Sequence, residues 1–175
     1  MSEMVKLEGF PGYFVDKEGR VFSNKLGKLK QLKPIDAGNG YLKVNLYHKG
    51  FMRKVSIHRL VGYAFLGLDI DNPKIEIDHK DDDKANNKLS NLRIATPSQN
   101  KAAARPSIKG TSGFRGVNKN RYNLTNPWRA NIKKHGKSYH LGYFKTKEEA
   151  ARAYDKKAKE FHGEFANLNF PEENT

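Results

Sequence analysis

Two short runs of mixed character, IEIDH at 75–79 and LRIAT at 92–96, flank a polar loop and lead straight into a helix start. Strands this short make no core alone, because an isolated two-stranded hairpin is marginal in water. They need a helix to pack on, and the chain offers one on each side. Upstream, Ile57, Leu60, Val61, Ala64 and Phe65 recur at helical spacing until Gly67 ends the pattern. Downstream, Thr96 is an N-cap residue, Pro97 fits the first helical position and Gln99 stands three residues after the cap. A helix is expected from about Pro97 through Ala104.

Four polar side chains sit on that frame. Asp78 and His79 end the first strand, Asn91 precedes the second, and Asn100 lies just past the first helical turn. Hydrolysing a phosphodiester with one divalent ion needs a cation on the scissile phosphate and a base to activate water. Asp78 offers a hard anionic oxygen and Asn100 a neutral one, a pairing suited to Mg²⁺ or Mn²⁺. His79 points to the opposite strand face from Asp78, and its ordinary pKa near about 6.5 suits a base at neutral pH. Asn91 is expected to accept the other ring N–H and fix the tautomer. The neighbouring Asp81, Asp82 and Asp83 do not make a calcium loop, since KDDDKANNKLSN lacks the central glycine and final glutamate of an EF-hand. For His58, beside the apolar stripe of the first helix, a structural or phosphate-contact role is expected.

Charge points to the substrate. The chain carries a formal +14, which favours a polyanionic partner. Residues 1–67 hold 12 Lys/Arg against 5 Asp/Glu, and residues 101–175 hold 16 against 7. Between them, residues 68–100 hold 5 against 7, so two basic flanks bracket an acidic centre. With no cysteine there is no thiolate zinc site, disulfide or Cys nucleophile. No apolar run is long enough for a bilayer, and MSEMVKLEGF carries charges where a signal peptide needs an apolar stretch. A cytoplasmic, non-secreted protein is expected, acting as a monomer on double-stranded DNA without a protein partner or membrane.

The flanks read as small β modules. GYFVDKEGRVFSN is a hairpin turning at Asp16–Gly19, and YLKVNLYH pairs with FMRKVS through Lys49-Gly50. RPSIKGTSG at 105–113 reads as a linker. Beyond it come three candidate strands, FRGVN, WRANIKK and SYHLGYF, then a helix from Lys147. Thr146 and Glu149 form its capping box, Ala150, Tyr154, Ala158 and Phe161 its stripe, and Gly163 its stop. In WRANIKK, Trp128, Ala130 and Ile132 alternate with Arg129, Asn131 and Lys133, giving one packing face and one polar, basic face.

The stretch HRLVGYAF…IEIDHKDDDKANNKLSNLRIATPSQN resembles the HNH endonuclease family in its phage and intron homing branch, over roughly residues 57–104. The resemblance implies a ββα-metal core in which Asp78 binds metal, His79 is the base, Asn91 is the middle asparagine and Asn100 the last ligand. Asn86 and Asn87 compete for the middle role; Asn91 is preferred because it immediately precedes the second strand. Residues from about 112 to 170 resemble the plant ethylene-response-factor (APETALA-type) DNA-binding domain, through SGFRGV, WRANI, HLGYF, TKEEAARAYDKKA and ANLNF. That resemblance implies a three-stranded sheet in the major groove, with Arg115, Lys133 and His140 as DNA contacts and Arg129 and Asn131 on the same face. Lys119 and Arg121 join this set where the plant domains carry further arginines. His140 replaces a tryptophan, so plant base specificity does not transfer. GFPGYFVDKEGRVFS resembles the module that precedes the nuclease in many homing enzymes; Arg20, Lys25, Lys28, Lys30 and Lys43 are its candidate backbone contacts.

The expected fold is therefore α+β. A small β-hairpin module (1–56) precedes a ββα-metal nuclease core (57–104), a linker (105–113) and a C-terminal three-stranded antiparallel sheet packed on one helix (114–175). The expected function is site-specific endonucleolysis of DNA by the homing type of enzyme, nicking as a monomer. The rival reading is a non-catalytic, sequence-specific DNA-binding regulator with a decayed nuclease core. Binding to duplex RNA is disfavoured, because A-form major grooves are too narrow for such a sheet.

Overall fold

The alternation of β-branched and polar residues through the first half of the chain produces short antiparallel strands rather than one large sheet. The computed structural model describes residues 3–104, 112–122 and 124–171. Most of the expected linker, 105–111, lies outside the described residues. The chain divides into two compact units, Met1–Pro97 and Ser98–Thr175, and the architecture is mixed α and β as expected.

The first unit opens with β1 (Met4–Lys6), β2 (Tyr13–Asp16), β3 (Val21–Ser23) and β4 (Lys30–Gln31), hydrogen-bonded in that order. A second sheet holds β5 (Ile35–Asp36), β6 (Leu42–His48) and β7 (Phe51–Ser56). Both expected hairpins are present; β1, β4 and β5 are too short to leave a period in the sequence. Helix α1 (Ile57–Phe65) follows directly, then β8 (Glu76–His79) pairs antiparallel with β9 (Leu92–Ala95). Val15 of β2, Leu46 of β6, Leu60 and Val61 of α1 and Ile77 of β8 belong to one continuous apolar core. The N-terminal hairpins and the strands carrying Asp78 and His79 are thus held by the same buried surface. Burial of such side chains stabilises by roughly 1.5–3 kcal/mol each.

Two features fix the strands on this core. Gly62 faces Ile77, where an added Cβ would come within 2.6 Å of the Ile77 Cδ1, so α1 lies as close to β8 as a side-chain-free position permits. The turn between β2 and β3 is organised by the fully buried Asp16. Its Oδ1 accepts from the backbone N–H of Glu18 (3.1 Å) and Arg20 (2.9 Å), and Oδ2 accepts from Arg20 Nε (2.7 Å). A buried carboxylate is tolerated only when donors saturate it in this way.

The second unit begins within α2 (Pro97–Ala103) and continues with β10 (Val117–Lys119), β11 (Trp128–Lys134) and β12 (Lys137–Phe144), a three-stranded antiparallel sheet packed on α3 (Lys147–His162). Thr146 and Glu149 form the expected capping box. The first strand starts at Val117 rather than Phe114, because Gly116 takes a left-handed conformation (φ 73°) just before it. Asp155 of α3 is 2 % exposed and accepts from Asn169 N (2.8 Å), Asn169 Nδ2 (3.0 Å) and Phe170 N (2.8 Å). It ties the segment after α3 back onto the helix, as Asp16 ties its turn.

Candidate active site and nucleic-acid interface

The β8–β9 register sets Asp78 opposite Arg93 and His79 opposite Leu92. Alternation then separates the two polar residues, as expected. Asp78 accepts from its cross-strand neighbour, with Arg93 Nε and a terminal guanidinium nitrogen each 2.7 Å from Oδ2. Both side chains are largely buried, so this pair holds the Asp78 carboxylate in one orientation. Arg93 was not among the expected site residues; pairing IEIDH with LRIAT in antiparallel register would have found it.

His79 is buried on the face of β8 shared with Ile77. Its ring lies 5.2 Å from the His58 ring of α1, edge to face, and 5.9 Å from the Tyr41 ring. Asn87 stands beside it, with Oδ1 3.4 Å from the ring Nε2. Because Asn87 Nδ2 donates to Ala85 O at 2.9 Å, the amide oxygen is the atom left to face the ring. An amide oxygen can only accept, so the arrangement keeps the proton on Nε2 and the lone pair on Nδ1. Burial pushes the His79 pKa below the ordinary imidazole value, opposed by Asn87 and by the carboxylates of Asp81, Asp78 and Asp83. The ring is neutral at physiological pH and able to accept a proton.

The hydrogen bonds of Asn91 run into the loop rather than to the His79 ring. Asn91 Nδ2 donates to Asp81 Oδ1 (2.8 Å) and Asn86 O (2.9 Å), while its Oδ1 accepts from Asp81 N (3.2 Å). Both ends of the amide are consumed in folding the loop after β8, and Asn87, the weaker candidate by sequence, is the one at the imidazole. Adjacency to a strand was a poor guide, because the loop turns back on itself. Asn100 lies on α2 in the second unit.

The loop is buttressed from the β2–β3 turn. Leu89 N donates to Lys17 O at 2.8 Å, and Lys88 pairs with Glu18 at 3.4 Å. Gly19, in a left-handed conformation, presses on the Asn87 backbone so closely that an added Cβ would stand 2.6 Å from its carbonyl oxygen. Any larger residue there would displace the segment that carries Asn87.

Behind His79, His58 is half-buried, with its Nδ1 buried and unbonded. Desolvation lowers its pKa to about 3, helped by the proximity of His79, Arg59 and Lys43. It is a neutral packing partner for the His79 ring.

Of the candidate DNA contacts, Arg129, Asn131, Lys133 and His140 share the outer face of the C-terminal sheet, with Ala130 and Ile132 buried on the other. Lys119 is opposite Trp128 in the ladder, and its Nζ lies over that ring, so it sits on the helix-facing side. Arg115 is turned inward, donating to Ala102 O (3.1 Å) and Ala104 O (3.0 Å) at the end of α2. Arg121 is exposed after β10. In the first unit Arg20 is committed to Asp16, Lys28 and Lys30 are exposed, and Lys43 is partly buried on β6. Lys25 donates to Tyr47 O at 2.6 Å.

Comparison with known proteins bears on the central segment. Residues 55–102 match the HNH endonuclease family model. The chain is 38% identical over 96 residues to an uncharacterized HNH endonuclease of Acanthamoeba polyphaga mimivirus, covering 54% of this chain and 27% of that protein. It is 34% identical over 93 residues to the H-N-H endonuclease F-TflI of Escherichia phage T5, covering 53% and 46%. Among solved structures, one described as DNA binding and cleavage by the HNH homing endonuclease I-HmuI matches at 34% identity and a TM-score of 0.47, over 54% of this chain and 52% of that one. The chain therefore spans between about a quarter and about half of these relatives.

Proposed function

We propose that this chain is an HNH-type endonuclease that hydrolyses a phosphodiester of double-stranded DNA with His79 as general base. The observation that carries the reading is a buried, neutral imidazole whose Nε2 faces the Asn87 oxygen, next along β8 to a buried carboxylate. In such a hydrolysis a water oxygen attacks phosphorus, His79 Nδ1 takes its proton, and the bond to the 3′ oxygen breaks, the leaving oxygen taking up a proton from solvent water. The products are a 5′-phosphate and a 3′-hydroxyl. Asn87 orients the ring, Asn91 shapes the loop that carries Asn87, and Arg93 holds the Asp78 carboxylate.

The donor chemistry fits one hard divalent cation. Asp78 supplies a carboxylate, the hard oxygen donor that suits Mg²⁺ or Mn²⁺. An ion held at Asp78 would supply positive charge at the scissile phosphate. The exposed basic face of the C-terminal sheet and the N-terminal lysines are read as grips on duplex DNA, which together give a long site through effective concentration. One His79 per chain makes a nick the product of a single copy.

The test is supercoiled plasmid carrying a selected target, incubated with Mg²⁺ and separately with EDTA, followed by analysis of the cut ends. Metal-dependent nicking with 5′-phosphate ends, lost in His79→Ala, is the expected result. DNA bound tightly but left intact under every metal condition would instead favour the regulator reading.

A further inference from the structure

The outer face of the C-terminal sheet holds an ordered set of donors. The β11–β12 ladder shifts register between Ala130 and Asn131, so that Ala130 faces Gly142 while Asn131 faces His140, leaving Leu141 as the extra residue. A bulge of this kind re-aims side chains. Here Leu141 packs on the helix side, while His140 and Tyr143 share the outer face with Arg129 and Asn131. The His140 and Tyr143 rings are tilted against each other with centroids 4.8 Å apart.

Asn131 links the group. Its amide satisfies every neighbour in one orientation: Oδ1 accepts from Arg129 Nε at 2.9 Å, and the nitrogen donates to His140 Nδ1 and to Ala130 O, both at 3.2 Å. Two consequences follow from hydrogen-bond chemistry. Arg129 is anchored through Nε, so its two terminal nitrogens project as a fixed fork. His140 accepts at Nδ1, so its proton sits on Nε2 and is presented outward.

We propose that Arg129, Asn131 and His140 form a preset reader of guanine-containing base pairs, in which Asn131 is the positioning residue. This rests on the reading that the sheet face lies on duplex DNA. The Arg129 fork matches guanine O6 and N7 in the major groove, and the His140 Nε2–H matches a second acceptor such as guanine N7 or thymine O4. Holding the fork before binding removes the cost of ordering a long side chain at the interface.

The experiment uses the full chain with His79→Ala, so that DNA stays uncut, to select duplexes from a randomised library. Affinities are then measured on the winning duplex with each base pair exchanged in turn. The expected parent shows a guanine whose exchange costs roughly five- to a hundred-fold in affinity, with a second sensitive position near it on the same duplex. Adding Asn131→Ala should collapse the guanine preference while affinity for random duplex and its salt dependence stay unchanged. Asn131→Asp retains an oxygen for Arg129 but has no N–H for His140, so the guanine preference should persist and the second should fade. Nitrogen NMR of the His140 ring gives a readout free of DNA: one tautomer, protonated on Nε2, in the parent and a mixture in Asn131→Ala. Unaltered base preference and an unaltered tautomer in Asn131→Ala would overturn the relay. If Arg129→Ala, Lys133→Ala and His140→Ala all leave both affinity and preference untouched, the sheet is not on DNA and the underlying reading fails with it.

Discussion

The strand carrying Asp78 and His79 and the sheet face carrying Arg129 and His140 use polar residues in opposite ways. On β8 the two side chains are each 6 % exposed, and each is held by a neighbour whose own geometry is fixed by the core. On β11 and β12 the polar groups stand on an exposed face, backed by small apolar residues and braced mainly by one another. The first arrangement fixes atoms against a rigid frame, which is what proton transfer requires. The second leaves side chains free to change without disturbing the packing beneath. Chemistry and grip should therefore respond independently to mutation.

The largest expected effect is at the imidazole. His79→Ala should lower the single-turnover cleavage rate by about 10²–10⁴-fold while leaving DNA affinity within twofold or so of the parent, as read by cleavage and by gel shift. A parallel loss of affinity would show that the two functions are not separable.

Next comes the buttress. Gly19→Ala introduces a Cβ against the Asn87 backbone in a left-handed conformation. It should cost about 2–4 kcal/mol in chemical denaturation and slow cleavage about tenfold or more by shifting Asn87. Gly27 has the same backbone handedness but open space around it. Gly27→Ala should cost only about 1–2 kcal/mol and leave the rate alone. Equal rate effects from the two substitutions would remove Gly19 from the chain of support leading to His79.

On the sheet, Lys133→Ala should remove one phosphate contact. The slope of log affinity against log salt should fall in magnitude by about 0.9, with affinity reduced several-fold at low salt and cleavage of bound DNA unchanged. The smallest effect concerns His58. Its folded pKa of about 3 lies below the unfolded value of 6.5, so the unfolded state takes up the proton first on acidification. The associated stability is complete above pH 6.5 and is lost as pH falls toward 3. Denaturation midpoints across that window should slope less steeply in His58→Gln; identical slopes would mean that His58 titrates normally.

Much of this frame was legible because it obeys short-range rules. The helical spacing from Ile57 to Phe65, the Thr146–Glu149 capping box and the alternation in WRANIKK are local patterns, and each appears where expected. What escaped depends on contacts distant in sequence. Arg93 matters only because register sets it opposite Asp78, and Gly19 only because its turn folds onto Asn87. Asn91 looked better placed than Asn87, yet its amide is spent on Asp81 and Asn86. The proximity of Lys119 and Arg115 to the basic strands likewise hid their orientation, one over Trp128 and the other at the end of α2. The expected module boundary at residue 56 gave no hint that the apolar residues on both sides share a single core.

Two substitutions in one assay separate chemistry from grip. Cleavage rate and equilibrium affinity are measured on the same selected duplex, in Mg²⁺ for the rate and in a non-supporting buffer for the affinity, with His79→Ala and with Lys133→Ala. His79→Ala should slow cutting by about 10²–10⁴-fold at full affinity, whereas Lys133→Ala should weaken binding and cut whatever it holds at the parental rate. Metal-dependent cutting at the parental rate in His79→Ala would contradict the assignment of His79 as the base.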